Sequence, residues 1–203
     1  MIRLFAILMC FGLSAQEFDF SCPPHPEEFL ADFLADAKKY GHDFDDKEGT
    51  IEYWYEVPPG KSSPHFDHYV GASLNSCSDG YNLIINANNW ESYYFNQPTT
   101  EKGRLRVKLV MYHELGHALL ERAHICNLTG NIVPGADQVH YDIMQSPGVC
   151  QDEYGVYIFE QYPWNDPDVW DTMVKRLFEG TGQEQLSYAN CGYTGKGKSI
   201  IYD

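Results

Sequence analysis

The run HELGHALLERAH, residues 113–124, holds three histidines and a glutamate at spacings that matter chemically. Two histidines four residues apart on a helix leave the same face one turn apart. The imidazoles of His113 and His117 can therefore reach one Zn²⁺ at ~2.0–2.1 Å. Glu114 sits one position round the helix, where its carboxylate can take a proton from a water activated by the metal. The competing explanation is a buried helical histidine pair with no metal. The long helix, Gly116 within it and the third histidine favour metal.

A catalytic zinc commonly has three protein ligands. His124 lies seven residues after His117. Seven steps of about 100° return to nearly the same face, but they also carry the residue about 10 Å further along the axis. His124 can serve as a ligand only if the helix ends around Leu120–Arg122 and the chain folds back. Asp137, His140 and Glu153 are the other candidates for the third ligand.

The surrounding pattern supplies the elements that must position these residues. Phe29, Leu30, Phe33, Leu34 and Ala37 recur at helical spacing within Glu27–Tyr40, and Gly41 ends that helix. Strands are expected at Ile51–Val57, at Tyr69–Leu74 and at Tyr81–Ala87. Thr99 or Thr100 can cap the motif-bearing helix, with Glu101 in its first turn. Part of Glu153–Tyr162 reads as a further helix. Another starts after Asn165-Asp166-Pro167, runs through Val169, Met173 and Leu177, and stops at Gly180. Strands first and helices later, with a long helix between, imply an α+β domain with a cleft.

The chain of 203 residues is long enough for a single domain with its own core. Its formal net charge of -15 argues against nucleic acid and anionic membrane surfaces as partners. Residues 1–15 read as a signal peptide: Arg3 precedes an apolar stretch, Leu4–Leu13, and small residues follow at Ser14 and Ala15. That places the mature start near Gln16 and the protein in a secreted or periplasmic setting, with no lipid anchor expected at Cys10. The remaining residues, 16–203, read as one domain with 181–203 as a C-terminal tail. No other segment approaches the ~20 apolar residues of a membrane-spanning helix.

The histidine run, followed by His140-Tyr-Asp-Ile-Met144, resembles the metzincin clan of zinc endopeptidases. That clan carries HExxHxxGxxH and then a methionine-containing turn beneath the metal. More widely, residues 25–180 resemble small exported metzincin-like proteins of Bacteroidetes type. The resemblance implies a zincin catalytic domain with a small twisted sheet, an active-site helix and a mostly helical C-terminal subdomain. It assigns His113, His117 and His124 as zinc ligands, Glu114 as general base and acid, and Met144 as the turn methionine. It further implies a protein or peptide substrate lying along an edge strand from the Tyr69–Ala87 region.

This chain departs from the clan pattern. His124 comes one residue late, in the form HExxHxxxxxxH, and Leu120 stands where the turn glycine belongs. The additional residue is expected to let the chain turn with ordinary backbone angles. Ser146 replaces the tyrosine that some members carry after the methionine. A degenerate zinc-binding module and a zinc amidohydrolase acting on a non-protein substrate are the alternative functions.

Removing residues 1–15 leaves Cys22, Cys77, Cys126, Cys150 and Cys191, an odd number in a disulfide-forming compartment. Cys126 and Cys150 bracket the methionine turn, and a disulfide between them would pin it. Cys22 invites comparison with metzincins whose N-terminal cysteine blocks the zinc, although a disulfide to Cys77 or Cys191 is the plainer account. His65, Asp67 and His68 offer a weak second metal cluster. The acidic run Asp43–Gly49 fits no EF-hand spacing and reads as a solvated loop. Asn127-Leu-Thr129 has the pattern of a glycosylation acceptor.

Overall fold

A computed structural model of the chain describes residues 22–63, 66–73, 80–122, 124–125, 142–145 and 166–180. These residues form a mixed α+β arrangement of one three-stranded sheet and four α-helices. The first helix, α1, is Glu28–Lys39, and it buries Phe29, Phe33 and Ala37 at four-residue spacing. Strand β1 is Gly49–Trp54, β2 is Gly71–Ser73 and β3 is Tyr81–Asn86. Helix α2 is Ala87–Phe95, α3 is Thr100–Leu120 and α4 is Pro167–Glu179. The helix expected within Glu153–Tyr162 lies outside the described residues.

Strand order is β1-β3-β2, with β1 parallel and β2 antiparallel to β3. Central β3 is covered on both faces, which is why Leu83, Ile84, Ile85 and Asn86 are all buried. Leu83 and Ile85 join the main core with the helices. Ile84 points to a smaller cluster of Trp54, Phe66, Tyr69 and Ala72. Pairing decides where β1 stops. Trp54 is opposite Asn86, the last residue of β3, so the expected continuation to Val57 has no partner strand.

Helix α2 was not legible as an element in the pattern, which blends into the strand before it. Asn86 makes the switch. Its side-chain oxygen accepts the Asn89 N–H at 3.1 Å, and its amide donates to Phe66 O at 2.6 Å. Asn89 in turn donates to Tyr69 O at 2.7 Å. One pair of amides thus caps α2 and holds the segment that feeds β2.

Thr99 caps α3 by accepting the Lys102 N–H at 3.2 Å. The helix is buried almost continuously from Leu109 to Ala118, as a helix passing through the middle of a core must be. Three polar contacts fix its register against α1: Arg104 with Glu28 at 3.1 Å, Lys108 with Asp32 at 2.8 Å and the Tyr112 hydroxyl with Asp36 at 2.7 Å. Both sets of partners advance by four residues, so the two helices run in the same direction. The two exposed pairs contribute little energy and mainly select the register.

Asp166 caps α4 through the Asp168 N–H at 2.9 Å, Pro167 opens the helix and Gly180, with φ of 72°, closes it. Its buried face carries Met173, Val174, Leu177 and Phe178. Phe33 joins α1, α3 and α4, with ring centroids 5.3 Å from Tyr112 and 5.0 Å from Phe178. No helix among the described residues is long and apolar enough to cross a membrane. Phe33→Ala, read by urea unfolding, is expected to cost about 3–5 kcal/mol because the three helices close on that ring.

Candidate metal centre

The site begins where α3 ends. Leu120 is the last helical residue, and Glu121 takes left-handed angles, φ 53° and ψ 35°. The Arg122 N–H then donates back to Gly116 O at 3.0 Å, reaching one residue further back than the usual closure by a left-handed residue. The expectation of ordinary backbone angles is therefore corrected. The turn still needs a left-handed residue, and Glu121 supplies it one position after the usual glycine. Beyond it, Ile125 N–H donates to Met144 O at 3.2 Å, which lays Ile125 beside the segment 142–145.

This turn brings His124 back to the helix face it has just left. The Nε2 atoms of His113, His117 and His124 are 2.8, 3.0 and 3.1 Å from one another. All three rings are less than a tenth exposed. Such a triangle has corners about 1.7 Å from its centre, inside the ~2.0–2.1 Å of a zinc–imidazole bond, so one ion can touch all three nitrogens.

Hydrogen bonds at the far side of two rings decide which nitrogen carries the proton. His113 Nδ1–H donates to Ile143 O at 2.6 Å, and His117 Nδ1–H donates to Arg122 O at 2.6 Å. A carbonyl oxygen only accepts, so both protons belong on Nδ1 and both Nε2 atoms present lone pairs. Two lone pairs 3.1 Å apart gain nothing from each other. A cation shared between them turns that repulsion into binding, and the carbonyl partners hold the rings in the orientation required.

Burial keeps these rings neutral. It lowers His113 to about 4, partly opposed by the bond to Ile143. Burial lowers His117 and His124 well below the usual imidazole value, and the neighbouring histidines add to the effect. Three buried neutral histidines this close form a donor set that can hold a metal ion. They are the one cluster of that kind among the described residues.

Glu114 is also buried, at 6% exposed. Burial raises its carboxyl to about 8, and a backbone hydrogen bond from Ser73 works in the opposite direction. Its side chain runs along β2 where Gly71 leaves room. A Cβ at Gly71 would stand 2.9 Å from Glu114 Cγ and 3.2 Å from Val110 Cγ1. Neither Gly71 nor Ser73 carries a motif that marks it as a site residue in the sequence. A glycine inside a strand pattern is a known sign of close approach, and was the available clue to Gly71.

Met144 is fully buried and packs on α3 at Gly116, where a Cβ would lie 2.7 Å from its sulfur. Asp142 folds the turn that carries it by accepting the Met144 N–H at 2.8 Å. Asp137, His140 and Glu153, the rival ligands, lie outside the described residues. So do His65, Asn127, Ser146, Cys77, Cys126, Cys150 and Cys191. Asp67 and His68 are exposed on a short 3-10 turn, Phe66–His68. Asp43 and Asp45 are engaged with the loop backbone and with Lys38. Cys22 is the one cysteine among the described residues.

Comparison with known proteins gives no match to a family model, to a curated protein or to a solved structure.

The left-handed glutamate has a measurable consequence. A non-glycine residue in this region costs about 1–2 kcal/mol, offset in part by the greater unfolded-state freedom of glycine. Glu121→Gly is therefore expected to raise stability by up to about 1 kcal/mol, and Glu121→Val to lower it. Thermal unfolding of the two variants checks the sign.

Proposed function

We propose that the chain is an exported zinc-dependent endopeptidase of metzincin type. The observation that carries this reading is the convergence of three neutral imidazole nitrogens, two with their tautomer set by backbone carbonyls, one residue from a buried glutamate. Imidazole nitrogens suit zinc, with copper, iron and nickel as chemical competitors. The α+β arrangement, the histidine-bearing helix and Met144 packed beneath it are consistent with the clan.

Bound zinc would supply a Lewis acid for the scissile carbonyl. His113, His117 and His124 would hold it. A cation held by the histidines would favour the ionised form of Glu114 against the effect of burial, and that carboxylate would take the proton of the attacking water and return it to the leaving amine. The Ser73 N–H and the open space at Gly71 set where that carboxylate stands. In this reading the peptide lies against β2, an edge strand among the described residues, as the clan resemblance implies.

The near-complete burial of the three histidines favours a second reading, a module that keeps its metal for structure. One set of variants separates the two. Glu114→Ala should retain zinc and lose casein cleavage by about 10²–10⁴-fold, whereas His124→Ala should lose zinc affinity. Wild type that binds zinc stoichiometrically and cleaves nothing favours the structural module or an amidohydrolase. Full zinc content and activity in His124→Ala would remove that residue from the ligand set. Export has its own check: N-terminal sequencing of protein recovered outside the cytoplasm should begin at Gln16, and retention of residues 1–15 would count against it.

A further inference from the structure

The geometry points to α4 as the outer support of the metal centre, acting through Arg122, Asp142 and Arg176 as positioning residues. This inference rests on the metal-binding reading of the three histidines. It begins from the two carbonyls that hold the ligand rings, Ile143 O and Arg122 O. Neither belongs to a regular element. Both sit in short irregular segments whose placement has to come from elsewhere.

Two arms reach them from one turn of α4. The Arg122 guanidinium is buried, and its Nε donates to Leu177 O at 3.0 Å while its Nη2 donates to Phe178 O at 3.1 Å. These are carbonyls of the last turn of α4, the groups a helix end leaves without intrahelical partners. A planar, two-pronged donor matches them better than an ammonium does. The same residue's own carbonyl then receives the His117 proton.

The second arm ends on the His113 partner. Asp142 is fully buried. Its Oδ2 faces Arg176 Nε at 3.4 Å, and its Oδ1 accepts the Met144 N–H at 2.8 Å. Ile143 is the residue between. Asp142 therefore folds the turn that aims Ile143 O at His113, and Arg176 holds Asp142 in place. Asp142 also offsets part of the burial cost of the Arg122 charge. Gly180 lets this happen, because a Cβ there would overlap the Arg122 guanidinium. Leu177 packs on Gly116 from the same turn of α4.

Partners behind a metal-binding histidine change metal affinity by about 10–100-fold when lost. The test uses the full chain carrying Arg122→Met, Arg122→Lys, Arg176→Gln and, as an exposed control on the same helix, Lys175→Gln. Zinc Kd is measured by chelator competition on protein shown to be folded without metal, and the Co²⁺-loaded forms are compared by visible absorption. Arg122→Met and Arg176→Gln should each weaken zinc by about 10–100-fold and alter the cobalt spectrum. Arg122→Lys should fall between Arg122→Met and wild type, and Lys175→Gln should match wild type. Variants that are less stable yet keep the wild-type Kd and spectrum would overturn the inference, leaving these residues a structural role alone. Should Arg122→Met fail to fold, Arg176→Gln decides, since it removes one peripheral contact. Wild type that takes up no zinc refutes the metal-binding reading itself, and this inference with it.

Discussion

Everything at this site depends on where one helix stops. At 1.5 Å of rise per residue, an unbroken α3 would carry His124 about 10 Å beyond His117. The chain instead leaves the helix at Leu120 through a left-handed Glu121, and the Arg122 N–H closes the turn on Gly116. That reversal converts an axial separation into a nitrogen–nitrogen distance of 3.0 Å. A glutamate in left-handed geometry is strained. The strain persists because the residues after it are fixed independently, Arg122 by α4 and Ile125 by Met144.

The same few backbone groups serve folding and chemistry together. The carbonyl of Arg122 follows the helix-ending turn and also sets the His117 tautomer. The methionine turn contributes a carbonyl to His113, a second to Ile125 and a side chain to the floor at Gly116. Gly116 and Gly71 act on opposite sides of α3, one admitting Met144 and the other admitting the Glu114 side chain to β2. A change at any of these backbone positions shifts several groups at once.

Local chemistry was legible in the sequence, and long-range contact was not. The histidine spacing in α3, its Thr99 cap and the Asp166-Pro167 start and Gly180 stop of α4 are all set by residues within a turn of each other. The amphipathic spacing of α1 was readable for the same reason. Helix α2 escaped because it is short and its asparagine cap doubles as the end of a strand. Glu121 gave no sign of its backbone angles, since nothing about glutamate favours them. The roles of Arg122 and Asp142 were invisible because their partners on α4 lie far away in sequence. His124 falls between these cases: its helical angle was neutral, and only the reversal of the chain makes it a neighbour of His113.

The central claim is that these three imidazoles share one metal ion. Zinc-edge X-ray absorption on the zinc-loaded full chain tests it most directly. The account predicts three histidine nitrogens at ~2.0–2.1 Å, with the multiple-scattering pattern of three imidazole rings and no sulfur in the first shell. A first shell with sulfur, or with only two imidazoles, would contradict it.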